Sequence, residues 1–179
     1  MWLYMIIIAA VVAVDQLTKI IVMNTMTLGE SIDVIPGIFR FTYILNDGMA
    51  FGLLDSQRWI FMIVSVVAIA ALIFYMWKYK PDNKVALWGM SLVIGGGIGN
   101  MIDRLFYGET FTNGAVVDFL DFCAFPSVWK YIFNVADACV CIGAGLIMLY
   151  LVLDIAKSSK QTTEENDRED EEAAEKEEK

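Results

Sequence analysis

Four apolar runs, Trp2–Met23, Trp59–Trp77, Val85–Phe106 and Tyr131–Leu153, divide the chain, and charged residues recur every few positions in the stretches between them. Each run is about 20 residues long, the length a helix needs to cross a hydrocarbon core about 30 Å thick. The pattern predicts an α-helical membrane protein with four transmembrane helices. The first run also invites comparison with a cleaved signal peptide. It has no basic leading segment and no Ala-x-Ala-like exit, and Asp15, Gln16, Thr18 and Lys19 fall in its last third, so a retained span is expected. Trp59 and Trp77 bound the second run, as aromatic residues do at lipid–water boundaries.

The segment from Thr25 to Arg58 cannot span, because Glu30, Asp33, Arg40, Asp47 and Asp55 interrupt it. Pro36-Gly37 marks a turn. From Phe39 to Leu45 the chain alternates, with Phe39, Phe41, Tyr43 and Leu45 on one face, the signature of a strand. The strand leads into Asn46-Asp47-Gly48, a turn tripeptide in which Gly48 permits positive φ. A second loop, Tyr107 to Lys130, holds Ala115 to Phe119, a short strand candidate that can add to the first. The expected architecture is therefore a four-helix domain over residues 1–156 with a small extramembrane β-cradle built from about 25–58 and 107–130. Lys157–Lys179 forms an acidic tail, and its run from Glu164 on is expected to be disordered.

Composition sharpens this. The chain is 58% hydrophobic with a mean hydropathy of +0.56, too apolar for an ordinary soluble domain. The formal charge is −9, and 10 acids against 5 bases from Lys157 onward account for more than half of it. No basic patch points to nucleic acid. Cys123, Cys139 and Cys141 are odd in number, and two lie inside an apolar run, so they read as packing residues rather than a disulfide framework. The absence of histidine excludes His-based triads and His-ligated metal sites. Within Val85–Phe106, Gly95 and Gly99 are four apart, a small-residue face that admits another helix closely. The glycine spacing does not fit a nucleotide fingerprint.

Lys78, Lys80, Lys84, Lys157 and Lys160 lie on one side of the four spans, against Arg40, Arg58, Lys130 and Arg104 on the other. The positive-inside rule then puts both termini in the cytoplasm and both long loops outside. On that topology Asp15 with Lys19, Asn100 with Asp103 and Arg104, and Asn134 with Asp137 share the outer leaflet. Asp15 and Lys19, four apart, can pair, either as an interfacial ion pair that snorkels or within a site. Asp118, on the loop between spans three and four, can descend to the same depth. Ionisable groups near hydrocarbon cost about 2.5–3.5 kcal/mol each on insertion scales, so a group of them points to function. Two carboxylates in a partly dehydrated site share a proton, and such a pair can activate water as a base and protonate a leaving amine as an acid. Asp118 and Asp137 are the candidate pair for peptide hydrolysis. Arg104 is suited to hold a carboxylate or a substrate carbonyl, and Asn46, Asn100 and Asn134 to orient the pair or the substrate backbone.

Asp15-Gln-x-Thr-Lys19, Asn46-x-Gly48-x-Ala-Phe51, Gly99-Asn100-x-x-Asp103-Arg104, Val116-Val-Asp118-Phe119 and Phe133-Asn134-x-Ala-Asp137 occur in this order. Together they resemble the motif set of the bacterial lipoprotein signal peptidases, or signal peptidase II, over residues 1–156. The resemblance implies an intramembrane aspartic endopeptidase of the bacterial inner membrane, with Asp118 and Asp137 as its dyad and no metal or cofactor. It implies that Asp15, Lys19, Asn46, Gly48, Asn100, Asp103, Arg104 and Asn134 support the site or bind substrate. The substrate would be a diacylglyceryl-modified prolipoprotein lying among membrane lipids and cut just before its lipidated cysteine. Globomycin-like cyclic peptides would inhibit it. Asp47 and the acidic tail depart from the family pattern without touching the dyad. Three other readings compete. A presenilin-type protease would need Gly-x-Gly-Asp, which is absent. A proton or ion carrier would need polar residues continuing to the cytoplasmic side. A scaffold would leave the two aspartates unused.

Overall fold

The computed structural model describes the backbone of residues 1–47, 58–107, 114–127 and 129–177, and their side chains except at 58–61 and 162–177. Its element order is α1 (Trp2–Thr25), β1 (Ser31–Ile35), β2 (Phe39–Asn46), α2 (Arg58–Tyr79), α3 (Lys84–Phe106), β3 (Val116–Phe122), β4 (Ile132–Phe133) and α4 (Val135–Glu177). By length and composition, Trp2–Thr25, Met62–Tyr79, Lys84–Phe106 and Val135–Gln161 can each cross a membrane. The strands form one antiparallel sheet in the order β1-β2-β3-β4.

α3 occupies the centre of the bundle and packs against α1, α2 and α4. Its glycines explain how. A Cβ on Gly95 would lie 2.8 Å from Val11 Cβ on α1, and one on Gly99 would lie 2.5 Å from Asp15 Oδ2. On Gly96 it would strike the Ala136 carbonyl of α4, and on Gly97 it would lie 2.8 Å from Ile69 of α2. The glycine run thus serves three neighbours in succession, beyond the single small-residue face the spacing predicts. Asn83 starts the helix, its side chain accepting from Ala86 N at 3.1 Å. At the other end of the bundle, Val22 and Met26 from the end of α1 pack against Val117 and Phe119 of β3, which seats the sheet on the helices.

Three elements differ from the sequence expectation. β1 consists of exposed residues throughout, so no buried face imposes an alternation to read. The residues before Val135 do not belong to the fourth span: Ile132 and Phe133 pair with Asp121 and Leu120 as β4. α4 continues as helix through the acidic run to Glu177, where disorder is expected. Glu, Lys and Ala are strong helix formers, and an already formed helix adds residues without a new nucleation cost. Pro36-Gly37 does turn the chain between β1 and β2, with Gly37 at φ 73° and Ile38 N donating to Ile35 O at 2.9 Å. The three cysteines are free.

Near the sheet, the helices are joined by a buried ion cluster. Lys19 Nζ lies 2.8 Å from Asp15 Oδ2 and 2.8 Å from Asp103 Oδ2, and all three side chains are fully buried. The pair therefore does not snorkel to an interface. Asp15 Oδ1 accepts from Ala136 N of α4 at 2.9 Å, and Asp103 Oδ2 accepts from Val117 N of β3 at 3.1 Å. Gln16 Nε2 donates to Asp103 Oδ1 at 2.8 Å and to Gly99 O at 3.1 Å. One cation and two carboxylates thus tie α1, α3, α4 and β3 together. Removing the cation strands two buried carboxylates, an error that costs about 3–5 kcal/mol in comparable buried pairs. Lys19→Met is expected to lower the thermal unfolding midpoint in detergent markedly, and Asp103→Asn added to it to recover part of the loss. An unchanged midpoint for Lys19→Met would contradict this account.

Candidate active site

The start of α4 builds the first half of the site for a local reason. Asn134 Oδ1 accepts from Asp137 N at 2.9 Å, and Asp137 Oδ2 accepts from Asn134 N at 3.3 Å. This is the reciprocal pattern of a capping box, which satisfies donors that a helix start leaves unpaired and places a carboxylate at the positive end of the helix dipole. Asn134 is thus the cap of α4, not a residue within it. With its oxygen committed to Asp137 N, its amide nitrogen must point elsewhere. Asn134 Nδ2 donates to Asp118 Oδ1 at 2.7 Å and to Asn100 Oδ1 at 3.0 Å.

Asn100 is oriented by the same logic. An ammonium can only donate, so Lys19 Nζ, 3.1 Å away, requires the oxygen of Asn100 to face it. The other end of that amide then donates to Asp137 Oδ1 at 2.7 Å. From the sheet side, Asn46 Nδ2 donates to Asp118 Oδ2 at 2.7 Å. Asn46 is the last residue of β2, and the turn that the tripeptide predicts runs on into Gly48, outside the described residues. Asp118 and Asp137 are therefore joined through two asparagines, each fixed in one orientation, Asn100 by the Lys19 ammonium and Asn134 by the backbone N–H of Asp137.

Asp118, on β3 and fully buried, has its carboxyl pushed up to about 7. Burial is the largest cause and the charge of Asp137 the next, while the amide donors Asn46 and Asn134 and the charge of Lys19 pull the other way. Asp137 is half-buried and lines a cleft of about 560 Å³ with Asn46, Arg104, Lys130, Tyr131 and Phe133. Arg104 Nη1 also donates to Asn100 O at 3.2 Å. Phe133 also lines an apolar groove of about 470 Å³, walled by Phe39, Leu120, Phe122 and Trp129 of the sheet side and by Ala138 and Cys141 of α4.

The structure thus brings Asp15, Lys19, Asn46, Asn100, Asp103, Arg104, Asp118, Asn134 and Asp137 into one connected region. Gly48 lies outside the described residues. Among the described residues no group of three or more Cys, Asp or Glu side chains is placed to hold a metal ion. Sequence reasoning passes over Gln16, which bonds to Asp15, Gly99 and Asp103, and over Lys130 and Tyr131 in the cleft wall. Gln16 had a signal, since it lies between Asp15 and Lys19 in the first motif. Lys130 and Tyr131 had none beyond their position before the capping box.

The family model described as signal peptidase (SPase) II matches residues 7–153. A lipoprotein signal peptidase of Pelotomaculum thermopropionicum is 45% identical over 156 residues, 87% of this chain and 95% of the relative. One from Halothermothrix orenii is 41% identical over 146 residues, 82% of this chain and 92% of the relative. A solved structure described as a bacterial membrane enzyme, determined by the in meso method at 2.3 Å resolution, superposes with a TM-score of 0.77 at 34% identity, covering 88% of this chain and 92% of its own. With a family match over most of its length and relatives of this similarity, the chain belongs to the signal peptidase II family of lipoprotein signal peptidases.

Proposed function

We propose that the protein is an aspartic endopeptidase in which Asp118 and Asp137 act as one acid–base pair, cleaving diacylglyceryl-modified prolipoproteins just before the lipidated cysteine. The observation that carries this reading is the link between the two carboxylates through Asn134 and Asn100, with Asp118 at about 7 and Asp137 open to the cleft. A pair so placed holds one proton near neutral pH. The ionised carboxylate takes a proton from a water as its oxygen bonds to the scissile carbonyl carbon, and the protonated partner gives its proton to the carbonyl oxygen. A proton then passes to the amide nitrogen, the C–N bond breaks, and the amine leaves while the carbonyl re-forms. Asn46 and Asn100 hold the two carboxylates in register throughout, and Arg104 on the cleft wall is suited to a substrate carbonyl.

The apolar groove beside Phe133 supports a lipidated substrate, since acyl chains can lie there while the polypeptide enters the cleft. The lysine bias supports a site towards the outer leaflet with both termini cytoplasmic, so that the acidic end of α4 lies across the bilayer from the chemistry. Globomycin-like cyclic peptides would compete for the same cleft.

Asp118→Asn and Asp137→Asn keep shape but cannot share the proton, and each is expected to lower cleavage of a lipidated prolipoprotein peptide by about 10²–10⁴-fold with folding intact. The wild-type rate should fall as pH rises through about 7, where the pair loses its proton. Substantial turnover by either variant would overturn the dyad. Lipid anchoring is tested separately. Each buried CH₂ contributes about 0.8 kcal/mol, so an unlipidated peptide of the same sequence in the same detergent should be cut orders of magnitude more slowly. Equal rates would leave the dyad in place and remove lipoprotein maturation as the function.

A further inference from the structure

Between Phe41 and Ile44, β2 carries one more residue than the strand it faces. Phe39, Arg40 and Phe41 stand opposite Phe122, Asp121 and Leu120, whereas Ile44, Leu45 and Asn46 stand opposite Asp118, Val117 and Val116. Three steps on β2 thus match two on β3, which is a β-bulge. The consequence for Asn46 follows from the period of two. Asn46 is five positions from Phe41, so in a regular strand it would lie on the opposite face from Phe41, with its side chain directed away from Asp118. The bulge reverses this, bringing Asn46 to the face that carries Asp118 and moving Leu45 off the face it shares with Phe39 and Phe41 in an unbroken alternation.

The bulge is held from the other face of the sheet. Asp121, three residues from Asp118 and so on the opposite side of β3, accepts at Oδ2 from Arg40 Nε at 2.6 Å and from Thr42 Oγ1 at 2.9 Å. Arg40 is the residue directly across from Asp121, and Thr42 is the first residue of the bulge. Ser31 Oγ on β1 lies 2.9 Å from Thr42 Oγ1, so the cluster spans three strands. The backbone of Tyr43, the other bulge residue, turns away from β3. Its N–H donates to Glu30 O at 3.0 Å and its carbonyl accepts from Gly29 N at 2.8 Å. Asp121 is nearly fully buried, and a carboxylate in that setting is retained only with partners.

We infer that Asp121, with Arg40 and Thr42, is a positioning cluster that pins the β2 bulge and thereby keeps Asn46 on the Asp118 carboxylate. The hydrogen bonds of the cluster reach neither Asp118 nor the residues that line the cleft, so it acts through Asn46. Its effect on cleavage rests on the peptidase reading above, but its effect on strand register does not.

Register is read by cysteine cross-linking in a background of Cys123→Ala, Cys139→Ala and Cys141→Ala. Leu45→Cys with Val117→Cys reports the bulged register, and Ile44→Cys with Val117→Cys reports the register without the bulge. With the cluster intact the first pair should oxidise at least about tenfold faster than the second. Asp121→Ala should shift cross-linking towards the second pair, and Asp121→Asn, which keeps an acceptor, should restore the original preference. Thr42→Val, a smaller lesion for use if Asp121→Ala does not fold, should shift it in the same direction. An unchanged preference in the folded variant would overturn the inference, whether or not the protein cleaves anything. In the activity arm, Asp121→Ala should cost about tenfold in kcat alone but less than about twofold in an Asn46→Ala background. The pH at which the rate falls should move upward in both single variants, since both lose the Asn46 hydrogen bond that holds Asp118 down. The same loss in both backgrounds would mean that Asp121 does not act through Asn46.

Discussion

The fully buried Lys19 ammonium is the point on which the rest of this structure depends. It donates only, and it is surrounded by Asp15, Asp103 and Asn100 within 3.1 Å. Because Asn100 must turn its oxygen to the ammonium, it must offer its nitrogen to Asp137. Because Asn134 must turn its oxygen to the first turn of α4, it must offer its nitrogen to Asp118. Direction therefore passes to Asp137 from a cation that takes no part in the proposed chemistry, and to Asp118 from the backbone at the start of α4. The same cation joins α1 to α3, and its counterions reach the backbone of α4 and β3. Fold and site share one set of bonds.

Such a network is demanding in a molecule of this kind. Away from water a polar group without a partner costs several kcal/mol, so a partly satisfied cluster would be worse than an apolar one. Among the described residues no buried side-chain nitrogen or oxygen lacks a partner. The glycines of α3 make this possible, since Gly99 leaves the space that the Asp15 carboxylate occupies and Gly96 lets the start of α4 approach. Helix packing and polar satisfaction are consequently one requirement, met by residues three apart on the same helix.

The four spans and the strand at Phe39 were legible because hydropathy and alternation report burial directly. The convergence of Asn100, Asp118, Asn134 and Asp137 was legible because charge in an apolar chain needs company. The bulge was not, since an inserted residue leaves no mark in a strand whose two faces are both partly buried. Reading Phe39, Phe41, Tyr43 and Leu45 as one face follows the period of two and misses the step at Thr42–Tyr43. Ile132 and Phe133 are apolar enough to join the run that follows, and only pairing with β3 separates them from α4. Asp15 and Lys19 left two readings open, because spacing shows that they can meet and not where. The capping box Asn134-x-x-Asp137 could have been read, and it supplies the reason for the spacing that an i, i+3 helix face only describes.

In the proposed mechanism this network holds one proton between Asp118 and Asp137 near neutral pH. Infrared difference spectroscopy on the intact protein in detergent, titrated from about pH 5 to about pH 9, observes that proton directly as a carboxyl C=O band. One aspartic carboxyl of the wild-type chain is expected to ionise near pH 7, with its band lost or displaced in Asp118→Asn. Carboxylates that are all ionised across the whole range, or a neutral-pH band untouched by Asp118→Asn, would contradict it.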